Sequence, residues 1–116
     1  MDKAVFLDRD GVINDGSAYY TYSPEQFIFN KDIAVALKLL QENLFKLIII
    51  TNQSGIAKGV YTTQDVEKTH NYMKSELQKY GVVISGIYFC PHHPEVSICN
   101  CRKPQNGLLL EAIAQT

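Results

Sequence analysis

Two aspartates, Asp8 and Asp10, stand two positions apart in the stretch VFLDRDGVIND, residues 5–15. On an extended chain, side chains at i and i+2 face the same way. Both carboxylates can therefore address one ligand. Like charges this close repel unless a cation sits between them or one takes a proton. A divalent ion such as Mg²⁺ suits hard oxygen donors of this kind. One carboxylate can then attack an electrophile while the other moves protons. Asp-Arg-Asp-Gly also serves well as a turn that leaves a strand, so the stretch alone leaves both readings open.

Two other segments carry polar chemistry. Thr51, Asn52, Gln53 and Ser54 close an apolar run, KLIII, and precede Gly55. A hydroxyl and free backbone N–H groups at such a strand end can hold phosphate oxygens, or cap a helix. Arg102 and Lys103 lie in CRKPQ. Nothing local gives them a role beyond surface cations.

The three cysteines, Cys90, Cys99 and Cys101, sit in one loop with His92 and His93. An odd count fits a disulfide framework poorly. Three sulfurs and one imidazole can close a tetrahedral Zn²⁺ site. Chemistry does not choose between His92 and His93. A site closed by four protein ligands is structural, and here it would pin the loop that brings Arg102 and Lys103 forward.

These groups need elements to position them. Residues 4–7 form a short apolar run that reads as a buried strand. Residues 11–30 are rich in turn formers and aromatics, so they read as a long functional loop with room for a small hairpin. Residues 31–43 carry Ile33, Ala34, Leu37 and Leu40 at helical spacing. Residues 46–50 read as a strand buried on both faces, as in a parallel sheet. Thr62 and Asp65 suit a capping box. Val66, His70, Met73, Leu77 and Tyr80 then mark one helical face, which Gly81 ends. His70 reads as a packing residue on that face. A third strand falls at 82–84 or 87–89, the second being preferred. Asn106 can cap a last helix over 107–114. Tyr19, Tyr20 and Tyr22 line a substrate lip or pack on one another.

The alternation predicts an α/β fold, a Rossmann-like three-layer sandwich with a parallel central sheet. Ligands bind outside the carboxyl ends of strands in such sheets. Asp8, Thr51 and Cys90 end the three strands, so the polar groups collect on one rim. The 116 residues suit a single domain. A formal net charge of −1 gives no basic surplus for nucleic acid. No apolar run is long enough for a membrane helix, and the N-terminus lacks a secretory pattern. A cytoplasmic protein that binds neither nucleic acid nor membrane is expected.

DRDG, then TNQ after the second strand, then a lysine before the third helix resemble the haloacid-dehalogenase superfamily of phosphatases. The resemblance implies that Asp8 is the nucleophile, Asp10 the general acid and base, Thr51 the phosphoryl clamp and Lys103 the charge neutraliser. It also implies that Mg²⁺ is bound by Asp8 and the backbone carbonyl of Asp10. The zinc loop followed by RKP, with TNQSGIA, is similar to the capless branch that acts on D-glycero-D-manno-heptose 1,7-bisphosphate. In that branch the zinc ligands correspond to Cys90, His92, Cys99 and Cys101. Arg102, residues 51–54 and the loop at Asp15, Gly16, Tyr19 and Tyr20 would contact the small phosphorylated sugar. Histidinol-phosphate phosphatase shares the nucleophile motif and a similar zinc loop, and is the alternative activity.

The superfamily places a further acidic pair, usually Gly-Asp-x-x-x-Asp, after a later strand. No such pair follows Lys103. The expectation is a chain that is the N-terminal portion of a longer enzyme, incomplete at its C-terminus, with impaired activity of its own. The competing expectation is a short zinc-stabilised domain without activity that binds a phosphorylated ligand or a partner. In either case the first strand would present an exposed edge suited to self-association.

Overall fold

The computed structural model describes residues 3–18, 20–53 and 55–90. Strand β1 spans Lys3–Leu7, helix α1 Ile33–Glu42, strand β2 Phe45–Asn52, helix α2 Thr63–Gln78 and strand β3 Ile84–Cys90. All pairing is parallel, with β2 in the centre and β1 and β3 on either side. Leu7 stands opposite Ile49, and Asn52 opposite Cys90. The carboxyl ends of the three strands therefore finish side by side.

The pleat divides the strands into two faces. Leu47 and Ile49 of β2 pack with Leu37 of α1 and with Met73 and Leu77 of α2. Val5, Leu7, Ile84 and Ile87 join this cluster. Both helices thus cover the same face. Ile48, Ile50, Cys90 and Tyr88 form a second, smaller cluster on the opposite face. Of the expected three layers, the described residues supply the sheet and one helical layer. The apolar run of β2 is continuous because its residues are buried from Leu47 to Thr51, as a central parallel strand requires.

Helix α2 begins as its sequence requires. The Thr62 hydroxyl accepts from the Asp65 backbone N–H, and the Asp65 carboxylate accepts from the Thr62 N–H. Val66, His70, Met73 and Leu77 are buried along one face. Tyr80 is the exception to the expected stripe. It lies beyond the helix end and is 66% exposed, because the chain has already turned toward Gly81. The third strand covers the preferred second run and starts earlier, at Ile84. A register shift between Leu47 and Ile48 adjusts it to β2.

The segment between β1 and α1 has little regular structure, yet it is anchored. Ile13 and Phe27 enter the main core. The Arg9 carbonyl accepts from the N–H groups of Val12, Ile13 and Asn14. Asn14 bridges Phe29 antiparallel, the rudiment of the expected hairpin. A short 3-10 turn spans Pro24–Gln26. Among the described residues β1 has β2 as its only strand neighbour. The expected helix over 107–114 lies outside the described residues.

Candidate active site

Strand β1 delivers Asp8, Arg9 and Asp10 to the carboxyl rim. Alternation separates them: Asp8 is exposed, the Asp10 side chain is 41% exposed, and Arg9 has no exposed surface. The two acids turn outward while the cation between them turns in. Its guanidinium lies over the Phe27 ring, 5.8 Å from the centroid.

Four hydrogen bonds hold that guanidinium. Nε and Nη2 both donate to Asp10 Oδ1, at 2.9 and 2.7 Å. Nη2 also donates to the Thr21 carbonyl at 2.8 Å. Nη1 lies 3.1 Å from His70 Nε2. Arginine has no acceptor and keeps its protons. His70 must therefore accept through a bare Nε2, which leaves the ring neutral with its proton on Nδ1. Burial pushes the His70 pKa down to about 3, helped by the positive charges of Arg9 and Lys74. The Phe89 ring meets the imidazole edge-on, with centroids 6.0 Å apart.

The second Asp10 oxygen, Oδ2, faces another arm of the site. Gln53 Nε2 donates to it at 3.3 Å and to Thr51 Oγ1 at 3.0 Å. The Tyr61 hydroxyl donates to Gln53 Oε1 at 2.8 Å. Burial pushes the Tyr61 pKa up to about 12, so the phenol remains a donor. The carboxylate can only accept, so these partners fix which way the amide points. Tyr61 is stacked on Tyr22 at 5.1 Å and meets Tyr20 edge-on at 5.6 Å. Gly55 permits this packing, since a Cβ there would lie 2.0 Å from the Tyr61 ring.

The expected site residues thus separate into groups. Asp8, Asp10, Thr51 and Asn52 lie where two adjacent strands end. Thr51 is buried, with its hydroxyl against Gln53. Gln53, expected to touch substrate, is 2% exposed and its amide is committed to Asp10, Thr51 and Tyr61. It acts as a link between rim groups. Asp15 and Gly16 are exposed; Asp15 Oδ1 accepts from the Ser17 N–H at 2.8 Å. Gly16 lies against the turn after Asp10, where a Cβ would sit 3.1 Å from Gly11 Cα. Tyr20 and Tyr22 pack on Tyr61 and so form an aromatic cluster. Tyr19, Ser54, His92, Cys99, Cys101, Arg102 and Lys103 lie outside the described residues. Three participants were not singled out by sequence reasoning as parts of the site: Arg9, Tyr61 and His70. A histidine within a buried apolar stripe was the available signal, since a buried imidazole needs a partner.

Metal donors can be tested against this geometry. Asp8 and Asp10 offer hard oxygens of the type Mg²⁺ takes. No group of three His, Cys, Asp or Glu side chains suited to a metal occurs among the described residues. The residues fit Mg²⁺ as two ligands of a larger oxygen set. Cys90 is disulfide-bonded in the structure. A sulfur in a disulfide has no thiolate to give zinc, so this state and the expected zinc-bound one are alternatives.

Residues 3–116 match the family model described as polynucleotide kinase 3 phosphatase. A crystal structure of D,D-heptose 1,7-bisphosphate phosphatase from B. bronchiseptica, complexed with magnesium and phosphate, superimposes with a TM-score of 0.91. It is 34% identical and is matched over 97% of this chain and 63% of its own. A putative HAD-like phosphatase from Mesorhizobium loti gives 0.88 at 26% identity, over 99% of this chain and 57% of its own. The family model and these structural matches place the chain among the haloacid-dehalogenase-like phosphatases. A probable D-glycero-D-manno-heptose-1,7-bisphosphate 7-phosphatase from Thermoplasma volcanium is 42% identical over 96% of this chain and 75% of its own length. The Haemophilus ducreyi and Escherichia coli K12 heptose-1,7-bisphosphate 7-phosphatases are 43% and 41% identical, over 96% and 94% of this chain. The chain belongs to this family of heptose-bisphosphate phosphatases. It spans 64% and 60% of the length of those last two relatives.

The neutral His70 has a consequence for stability. Its folded pKa lies below the unfolded value, so above about pH 6.5 neither state binds the proton and nothing is lost. As pH falls from there toward 3, the unfolded chain binds a proton that the folded chain refuses. Wild type should lose about 2–3 kcal/mol more stability than His70→Gln between pH 7 and pH 4.5. Glutamine keeps an acceptor for Arg9 but does not titrate. Urea unfolding at both pH values measures the difference. Parallel pH dependence in the two proteins would place a freely titrating imidazole at position 70.

Proposed function

We propose that this chain carries the nucleophile-bearing part of a phosphatase that removes the 7-phosphate of D-glycero-D-manno-heptose 1,7-bisphosphate. The observation that carries the proposal is the pair Asp8 and Asp10 at the end of β1, beside the end of β2 with Thr51. The named activity of the relatives supports the choice of sugar.

In this reading an Asp8 oxygen attacks phosphorus and the bond from phosphorus to the sugar oxygen breaks. Asp10 enters this step in its protonated form and gives that proton to the departing sugar alkoxide. Asp10 then takes a proton from water, the water oxygen joins phosphorus, and the bond to Asp8 breaks to release phosphate. Thr51 and Asn52 orient the phosphoryl oxygens, and Asp15, Gly16 and Tyr20 border the sugar. Lys103 and Arg102 supply positive charge. Phosphoryl transfer depends mostly on this kind of positioning and charge compensation. Mg²⁺, held by Asp8 and the Asp10 carbonyl with water and phosphate oxygens, would neutralise charge on the transferred group.

The name of the matching family model favours one second reading, a 3′-phosphorylated polynucleotide as substrate. The formal net charge of −1 gives no basic surplus in favour of that polymer. Histidinol phosphate is the small-molecule competitor. Phosphate release from the three compounds, side by side in the full-length protein, separates them. Heptose bisphosphate should be hydrolysed fastest, and Asp8→Asn should remove at least about 10³-fold of the rate. Full activity in Asp8→Asn would refute the nucleophile assignment.

The zinc loop is part of the proposal for the reduced protein, with Cys90, His92, Cys99 and Cys101 as ligands. Metal analysis under reducing conditions should find about one equivalent per chain, lost in Cys90→Ser. An unchanged melting temperature after chelation would remove the structural role. The edge of β1 is offered as a self-association surface wherever no other segment covers it. Sedimentation equilibrium should then give a dimer that Phe6→Lys dissolves; a monomer with both residues would reject it.

A further inference from the structure

The two oxygens of Asp10 are held very differently, and the proposed chemistry does not by itself require this. Oδ1 takes two donors from Arg9, at 2.9 and 2.7 Å. A carboxylate oxygen has two in-plane lone-pair sites, so both are filled. Oδ2 meets the Gln53 amide at 3.3 Å, near the limit of a useful hydrogen bond. The side chain remains 41% exposed. The space for a proton and for a reacting molecule is therefore at Oδ2.

The cation that creates this asymmetry is itself fixed from behind. Arg9 is fully buried, and its remaining bonds go to the Thr21 carbonyl and to His70 of α2. His70 offers it a lone pair from the helical face. A buried ion pair is weak evidence for stability, because apolar residues of similar volume often do as well. Holding a forked donor in one orientation is something an apolar residue cannot do.

We propose that Arg9, backed by His70 and the Thr21 carbonyl, is a positioning residue that occupies Oδ1 of Asp10 and so makes Oδ2 the oxygen that exchanges the proton. The inference rests on the acid and base role proposed for Asp10, which it deepens. Arg9 itself does not touch the substrate: its donors are engaged inside.

The test compares two leaving groups, using kcat/KM in the full-length protein. This constant reports the steps up to departure of the leaving group. A sugar alkoxide needs a proton as it leaves; p-nitrophenolate does not. Arg9→Met should lower kcat/KM about 10²-fold for a sugar phosphate and less than about fivefold for p-nitrophenyl phosphate. Arg9→Lys keeps the charge but loses the fork, and should show the same split. His70→Leu should reproduce the split at about tenfold, and His70→Gln, which restores an acceptor for Arg9, should narrow it. Equal losses on both substrates, or no loss, would overturn the inference.

Asp10→Asn serves as the reference. If it shows the split and the Arg9 variants do not, positioning by Arg9 is wrong while the role of Asp10 stands. If it shows no split, the acid role itself fails. Should Arg9→Met not fold, Arg9→Lys carries the kinetic test. A readout without turnover comes from the ¹⁵N resonances of His70. They should show a bare Nε2 that shifts when Arg9 becomes Lys. A protonated Nε2, or one that does not move, would also overturn the proposal.

Discussion

A guanidinium with no exposed surface holds the rim of this sheet together. Burying an ion costs several kcal/mol unless its partners replace the lost water. Arg9 finds them in three places: the adjacent Asp10, the loop at Thr21 and helix α2 at His70. The bonds tie the end of β1, a long irregular segment and a helix face to one point. Ile13 and Phe27 secure the same segment with apolar contacts. A segment with almost no regular structure can thus present Asp10 in a defined orientation.

Much of the frame was legible because it follows from periodicity. The KLIII run is apolar on both faces, which only a central parallel strand accommodates easily, and β2 is that strand. Thr62 and Asp65 specify a helix start through two reciprocal bonds that need no tertiary context. Stripe positions Val66, Met73 and Leu77 follow from 3.6 residues per turn. Tyr80 fell outside the stripe because periodicity does not say where a helix stops. The strand ends were legible too, so Asp8 and Thr51 arrive on the same rim as expected.

The internal wiring was not legible, and the reason is physical. Spacing of two in an extended chain aligns Asp8 with Asp10, and by the same rule sends Arg9 inward. What Arg9 meets there depends on how α2 and the loop close over β1, which is tertiary information. The same holds for Gln53. A polar residue after a strand end reads as a ligand contact, but its amide is used by Asp10, Thr51 and Tyr61. His70 sits on an apolar stripe and packs there as expected. Its lone pair has a second use that periodicity cannot encode. The residues that remain outside the described chain, Lys103 among them, follow from resemblance alone.

The inward direction of Arg9 has one more consequence for the rim. An arginine beside two carboxylates suggests a ready cation for an incoming phosphate. The geometry removes that option, because the guanidinium is fully buried and both of its bonds to Asp10 go to one oxygen. It balances the charge of Asp10 from within and leaves nothing for the substrate side. An anionic phosphate approaching Asp8 and Asp10 must therefore be compensated by cations that reach the rim from outside. Under the proposed reading these are Mg²⁺ and the Arg102–Lys103 pair. On that reading the labour divides between cations: one would orient the acid from inside, and the others would meet the phosphoryl group.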